Sequence, residues 1–412
     1  MRFQTSTVLI LFIALSLSVS ATADTSLCEA EVPFMALTEG PMAHWFAYYD
    51  KFQFDPSDRY VLAMEVGFED RAPRADDAIV LGMIDLQDGN KWIPFAETTA
   101  WCWQQGAMLQ WLPGSSEEVI YNIRTESDYA SVIHNVFTGE KRQLPRPVYA
   151  VNPDGKSAVG LNFTRLGDTR PGYGYNGFED PLHEELHPDS EGIYHLDLTT
   201  GESRTIINLN QIALGYGNET TALGKHWFNH LLYNTDGSRF IFLHRWHKEN
   251  RKGRFTQGFT AAPDGSDIFC FNDNGMVSHF IWRDEKEILA WSTEKETGNK
   301  FHRYFDQSDR VEVVAPEVLI QDGHCTWSPC GNWILTDTYP DKERKQTLLL
   351  YRPADGKRVD LGRFFQERAT EEQLRCDLHP SWNRAGTQIC IDSLCSGQRQ
   401  VYLLDVGAVI RN

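Results

Sequence analysis

The sequence predicts an all-β chain, a seven-bladed β-propeller of four-stranded antiparallel blades. Three observations carry that expectation. A strand–turn–strand unit with Pro, Asp or Gly at its turn recurs seven times in one register. Each copy is followed by a second hairpin with alternating side chains, so every repeat supplies four strands. Helical periodicity is nearly absent between the copies. Small sheets repeating at a period of roughly 40 to 55 residues close into a propeller. A two-domain β-sandwich is the alternative, and it gives no reason for one turn repeated in register.

Taken in order, residues 1–23 read as an export signal. Arg2 supplies a basic start, Val8 to Val19 an apolar run too short to span a bilayer, and Ala21-Thr22-Ala23 a small-residue cleavage pattern. Residues 24–412 are expected to form a single propeller domain, exported to the periplasm or the extracellular space, with no membrane partner. The first two copies are Phe54-Asp55-Pro56-Ser57-Asp58 running into Arg59–Ala63, and Trp111-Leu112-Pro113-Gly114 running into Val119-Ile120-Tyr121. The third and fourth are Val151-Asn152-Pro153-Asp154-Gly155 and Tyr233-Asn234-Thr235-Asp236-Gly237. The fifth spans Ile281–Ala290, the sixth centres on Ser328-Pro329-Cys330-Gly331, and the seventh on Asn383-Arg384-Ala385-Gly386. Outer hairpins show at Thr138-Gly139-Glu140, Thr200-Gly201-Glu202 and Ala354-Asp355-Gly356. An insertion between the third and fourth copies, Arg165 to His230, interrupts the period.

Eight cysteines suit an oxidising compartment. Cys325/Cys330 and Cys390/Cys395 are close enough for local bridges, with buried free thiols as the alternative. A formal charge of −18 without any Lys/Arg-rich run argues against nucleic acid. Arginines gathered in a cleft would still let such a chain take an acidic glycan.

Alignment on the turn glycine brings out a candidate site. His230, His324 and His379 each lie seven residues before Gly237, Gly331 and Gly386, and His279 holds the same place before Lys286. Four imidazoles at the heads of innermost strands should converge on the mouth of the central channel. With Asp377 and Asp337 as helpers they suit a divalent metal (Mn, Ca or Zn), and Cys376 would favour Zn if it faced inward. The bland alternative is a ring of histidines tying blades together. No organic cofactor is expected. In the same register Tyr149 reaches the mouth, and Arg165, at the far end of the stretch Leu161–Arg165 read as the next strand, is expected beside it. Arg165 would then bind a carboxylate and lower the phenol's pKa. Trp103, Gln104 and Gln105 in the second blade, and Tyr173 and Tyr175 in the insertion, are candidates for stacking on and hydrogen-bonding to sugar. His44 opens the first blade and is a spare candidate for a base.

The repeat, the histidine ring and Arg375-Cys376-Asp377-Leu378-His379-Pro380-Ser381-Trp382 leading to Gln400–Asp405 resemble the seven-bladed propeller polysaccharide lyases, among them oligogalacturonate, ulvan and rhamnose–glucuronate lyases. The ulvan and rhamnose–glucuronate branches carry a Tyr with an Arg about sixteen positions later, which Tyr149 and Arg165 match. Those branches use His on the preceding blade, where this chain has Gln104 and Gln105. The oligogalacturonate branch holds a metal, typically manganese, among His and Gln ligands, a role open here to His230, His279, His324 and His379. The resemblance implies β-elimination at a uronic acid of an acidic polysaccharide or oligosaccharide: Arg165 or a metal neutralises the carboxylate, and Tyr149 carries the proton. Two other classes stay open, a non-catalytic propeller binding glycan or protein at the same mouth, and a glycoside hydrolase built on a carboxylate pair.

Overall fold

A computed structural model describes residues 27–248 and 253–411, and the leader read at residues 1–23 lies outside the described residues. The described strands form seven antiparallel sheets, six of four strands and one of five. Blade 1 holds β3 (Ala43–Trp45), β4 (Tyr60–Val66), β5 (Ile79–Asp85) and β6 (Lys91–Thr98). Blade 2 holds β7 (Gln110–Trp111), β8 (Glu118–Arg124), β9 (Tyr129–Asn135) and β10 (Lys141–Leu144). Blade 3 holds β11 (Ala150–Val151), β12 (Ser157–Gly160), β13 (Gly192–Asp197) and β14 (Ser203–Asn208). Blade 4 holds β15 (His226–Tyr233), β16 (Phe240–His247), β17 (Arg254–Ala261) and β18 (Phe269–Asn272). Blade 5 holds β19 (Val277–Trp282), β20 (Glu287–Glu294), β21 (Gly298–Phe305) and β22 (Val311–Val313). Blade 6 holds β23 (Thr326–Trp327), β24 (Ile334–Thr336), β25 (Lys345–Arg352) and β26 (Lys357–Phe365). Blade 7 holds β27 (Ser381–Trp382), β28 (Gln388–Ser393) and β29 (Gln400–Asp405).

The ring closes with strands from the other end of the chain. β2 (Phe34–Ala36) pairs with β29 and completes blade 7, with Phe34 opposite Leu404. β1 (Cys28–Ala30) pairs with β26 as a fifth strand of blade 6. A disulfide joins Cys28 on β1 to Cys395 of blade 7, a sequence separation of 367. The local bridges expected at Cys325/Cys330 and Cys390/Cys395 do not form, and Cys325, Cys330 and Cys390 are free thiols. Between blades 7 and 1 the packed faces bring Leu37, Phe54 and Val61 against Cys390, Val401 and Leu403. Burial of such faces on both sides of each sheet is the main stabilising term.

The repeated turn has a specific physical role. Asn152, three residues before Gly155, donates from Nδ2 to the Gly237 carbonyl of the next blade at 3.1 Å. Asn234 donates likewise to Glu285 O at 3.0 Å, and Asn383 to Asp58 Oδ2 at 3.0 Å. Each of these turns hooks its neighbour, which explains Asn-x-x-Gly in one register. Gly155 has φ 69°, and a Cβ there would lie 2.2 Å from Pro113 O, so a side chain is excluded both by conformation and by space.

The insertion departs from the β pattern. The strand expected over Leu161–Arg165 stops at Gly160, and α1 (Phe163–Thr169) begins instead. Asn162 caps it, accepting from the amides of Thr164 and Arg165 at 2.9 and 3.1 Å. Arg165 therefore leaves the sheet and does not pair across from Tyr149.

Candidate functional site at the channel mouth

Three of the four aligned histidines form one group. The rings of His279 and His324 are 4.1 Å apart between centroids, and those of His324 and His379 are 4.4 Å apart. One ligand atom each from His324, Asp377 and His379 lies within 4.8 Å of the others, the one such group among the described residues. Their outer partners fix which nitrogen faces the group. His279 Nδ1 donates to Asp322 at 2.9 Å and His324 Nδ1 to Asp337 at 2.9 Å, which leaves each Nε2 with a free lone pair. His379 Nε2 is buried without a partner. Carboxylate–imidazole pairs aiming a second nitrogen at one point are the arrangement that metal sites use. Burial pushes the pKa of Asp377 up, but Arg375, whose Nη2 lies 2.8 Å away, outweighs it and holds the carboxyl well below the usual carboxylate range. Burial lowers His279 and, more strongly, His379. For His324 burial also lowers the pKa, but Asp337 overcomes it and holds the ring above its ordinary value. The donors within reach of one another are the imidazoles of His324 and His379 and the Asp377 carboxylate, with His279 beside His324, and they fit a divalent cation. Cys376 is buried outside the group, so the thiolate that would have favoured Zn is absent from it.

His230 stands apart from these three, with the Tyr48 ring between: Tyr48 stacks on His230 at 5.4 Å and meets His379 edge-on at 5.0 Å. His230 Nδ1 lies 3.4 Å from the Tyr149 hydroxyl and 3.3 Å from Gln105 Nε2. Burial keeps its pKa well below the ordinary value, so the ring is neutral. Both His230 and His379 have positive φ, 50° and 43°. Backbone held in that region at non-glycine residues is strained and is retained where the surroundings over-determine it.

Tyr149 reaches the mouth as expected. Its hydroxyl donates to Asn229 Oδ1 at 3.1 Å and accepts from Gln105 Nε2 at 2.7 Å and from the His230 amide at 3.1 Å. Burial pushes its pKa well up, so the lowering expected from Arg165 does not occur. Arg165 is elsewhere. Its five N–H groups go to His226 O, Asp180 Oδ2, Leu182 O, Glu185 O and Leu186 O at 2.8–3.1 Å. That guanidinium is saturated and fastens the insertion to blade 4.

A different arginine occupies the mouth. Arg245 on β16 is 2 % exposed, and its Nε has no partner. Its one hydrogen bond runs from Nη2 to Val277 O at 3.3 Å, and no carboxylate pairs with it among the described residues. Burial, then Arg254 and Arg170, push its pKa well below the usual range. An unpaired buried cation flanked by two more is a site short of an anion.

Loops roof the site. Arg170 Nη2 bonds Glu372 at 2.9 Å and its guanidinium lies 4.7 Å over the Tyr173 ring. Gln104 Nε2 donates to Gln373 O and Arg375 O at 3.0 Å, so this amide holds the roof rather than offering itself to a sugar. Tyr173 meets His230 edge-on at 5.8 Å, inside the site. Tyr175 is buried, stacked on Phe163 at 4.3 Å, and presents no free face. Trp103 packs on Trp45 at 5.0 Å in the core. His44 bonds Gln400 and Glu65, each at 3.0 Å, with its ring against Trp92; these contacts place it between blades 7 and 1, not among the four aligned histidines.

No protein-family model and no curated protein matches the sequence. Solved structures do match it. An oligogalacturonate lyase from Vibrio parahaemolyticus aligns with a TM-score of 0.63 and 14% identity over 91% of this chain and 94% of that one. An oligogalacturonate lyase in complex with manganese aligns with a TM-score of 0.63 and 16% identity over 93% and 95%. The chain has the fold of these lyases. The β-propeller domain of the Trilobed protease from Pyrococcus furiosus aligns less well, with a TM-score of 0.52 and 11% identity over 88% and 96%. At these identities the likeness to oligogalacturonate lyase is one of fold.

Sequence reasoning passed over Arg245 and Tyr48. The signal for Arg245 was present: β16 is buried at every position, and an arginine inside such a strand needs a partner. Tyr48 lay inside an aromatic stretch that reads equally well as core.

Proposed function

We propose that this chain is a polysaccharide lyase that cleaves a uronic-acid-containing oligosaccharide or polysaccharide by β-elimination. The observation that carries the reading is Arg245, a buried guanidinium with no carboxylate partner among the described residues, close to the neutral His230. A substrate carboxylate bound there satisfies the cation and, with its charge neutralised, acidifies the proton on the adjacent ring carbon. Arg245 thus takes the part that sequence reasoning gave to Arg165. In the tautomer that carries its proton on Nδ1, His230 has a free lone pair on Nε2 and removes the C5 proton. Tyr149 and Gln105 orient that base, as the third member of a catalytic group orients the second.

His324, His379 and Asp377 would hold a divalent cation, with His279 adjoining them, and a nitrogen–oxygen donor set without thiolate suits manganese. When bound, the cation supplies Lewis-acid polarisation of a carboxylate oxygen. Export is part of the same proposal: the apolar leader pattern and the Cys28–Cys395 disulfide both suit an oxidising compartment.

The test is ultraviolet absorbance of the unsaturated uronate during incubation with a panel of uronic-acid polymers and their oligosaccharides. A rise on one of them that disappears on chelation and returns with manganese is expected. A flat trace across the panel, with tight binding to one glycan, would replace the lyase reading with that of a binding propeller.

A further inference from the structure

We infer that Tyr48 is the proton donor of this reaction, its phenol protonating the glycosidic oxygen as that oxygen leaves. The inference rests on the lyase reading above.

Five tyrosines come close to the histidines, Tyr48, Tyr49, Tyr149, Tyr173 and Tyr339, and the hydroxyls of Tyr149 and Tyr49 are already engaged. The Tyr149 hydroxyl is held by Gln105, Asn229 and the His230 amide. The Tyr49 hydroxyl bridges the channel to blade 5, donating to Phe280 O at 2.9 Å and accepting from the Phe280 amide at 3.1 Å. The Tyr48 hydroxyl is buried and has no partner. Leaving a buried hydroxyl unbonded is costly, so a retained one asks for a ligand or a water. Its ring lies against three of the four histidines, with centroids 5.4 Å from His230, 5.0 Å from His379 and 5.8 Å from His324. The His230 ring on which it stacks places Nδ1 3.4 Å from the Tyr149 hydroxyl and meets Tyr173 edge-on at 5.8 Å, so Tyr48 borders the base. Tyr48 OH, Arg245 Nε and His379 Nε2 are three buried polar atoms without partners, brought from blades 1, 4 and 7 to one mouth.

Tyr48 is also held there deliberately. The Asp392 carboxylate of blade 7 accepts from the amides of Phe46 and Ala47 at 2.9 and 3.1 Å. Ala47 has φ 27°, so the segment that presents Tyr48 is strained and kept in place by a carboxyl group on the neighbouring blade.

The chemistry balances without a co-reactant. His230 takes the C5 proton, the C5–H electrons form the C4–C5 double bond, and the C4–O4 bond breaks with its electron pair on O4. The phenol proton passes to O4. The imidazolium then gives its proton to solvent and the phenolate takes one from it.

The experiment compares Tyr48→Phe with the wild type on two substrates: a natural uronate oligosaccharide, and a uronate carrying 4-nitrophenoxide at C4, which leaves without protonation. Tyr48→Phe is expected to lose about 100- to 10,000-fold in kcat on the oligosaccharide, with KM nearly unchanged, and to keep near-wild-type elimination of nitrophenoxide. The retained nitrophenoxide reaction shows that the variant is folded. Full activity on the oligosaccharide, or an equal loss on both substrates, overturns the inference while the lyase reading stands. A wild type inactive on both substrates overturns the lyase reading, and the inference with it.

Discussion

Arg245→Met separates a binding role from a structural one because the two predict opposite signs of stability change. The wild-type guanidinium is buried, makes one long hydrogen bond and meets no carboxylate. Methionine has a similar length and no charge to desolvate. Exchanging a buried ion for an apolar group of similar volume is often stabilising, by about 1–4 kcal/mol. For a domain of roughly 380 residues the unfolding entropy is about 0.8 kcal/mol/K at about 2.1 cal/mol/K per residue, so a gain of about 2 kcal/mol raises Tm by about 2–3 °C. The same change removes the charge-assisted contact to substrate. Loss of about 2 kcal/mol there weakens binding about 30-fold. Thermal unfolding with and without a saturating uronate oligosaccharide reads both effects. Wild type should gain about 2.7 kcal/mol at a hundredfold excess over Kd; the variant should start higher and gain little. A variant that unfolds several degrees lower, or that responds to uronate as wild type does, would refute the argument that Arg245 awaits an anion.

Arg165→Ala breaks a buried pair and leaves Asp180 with one cation fewer, so a loss of about 3–5 kcal/mol in stability is expected, measured by urea unfolding; stability within about 1 kcal/mol of wild type would contradict its anchoring role. Cys395→Ser frees β1 from blade 7 and should cost about 2–4 kcal/mol, or about 3–5 °C in Tm; an unchanged melting curve under oxidising conditions would show that the strand pairing of β1 alone suffices. Burial lowers the pKa of His134, packed between Tyr121 and Phe95, from 6.5 to about 4. The unfolded chain then binds a proton that the folded chain does not, so His134 contributes stability above about pH 6.5 that is lost as pH falls toward about 4. The urea midpoint should fall over that window less steeply in His134→Gln than in wild type; equal slopes would place the titration elsewhere. Asp377→Asn should weaken manganese binding by about 10- to 100-fold, read by calorimetry on the isolated protein, while unchanged affinity would exclude Asp377 as a ligand.

The blades were legible in the sequence because their turns recur in one register, and three of them make the same contact. Asn152, Asn234 and Asn383 are each bound to a neighbouring turn, so identical geometry demands identical residues at identical spacing. The convergence of His279, His324 and His379 followed from that register alone. What escaped was of longer range or shorter phase. Pairing of β1 with β26 and of β2 with β29 joins segments from opposite ends of the chain, and no local pattern announces it. The same separation hid the partner of Cys28. Leu161–Arg165 alternates as a strand does, but Asn162 caps a helix there, and one change of secondary structure carried Arg165 away from Tyr149. Arg245 was missed for a different reason. Its importance lies in partners it lacks, which only the folded surroundings reveal.

Elimination at a uronate and hydrolysis differ by one water in the mass of their products. Digestion of a defined uronate oligosaccharide in the presence of manganese, followed by mass spectrometry, should give two products whose masses sum to that of the substrate. Products summing to the substrate plus one water would contradict the account and identify a hydrolase on the same scaffold.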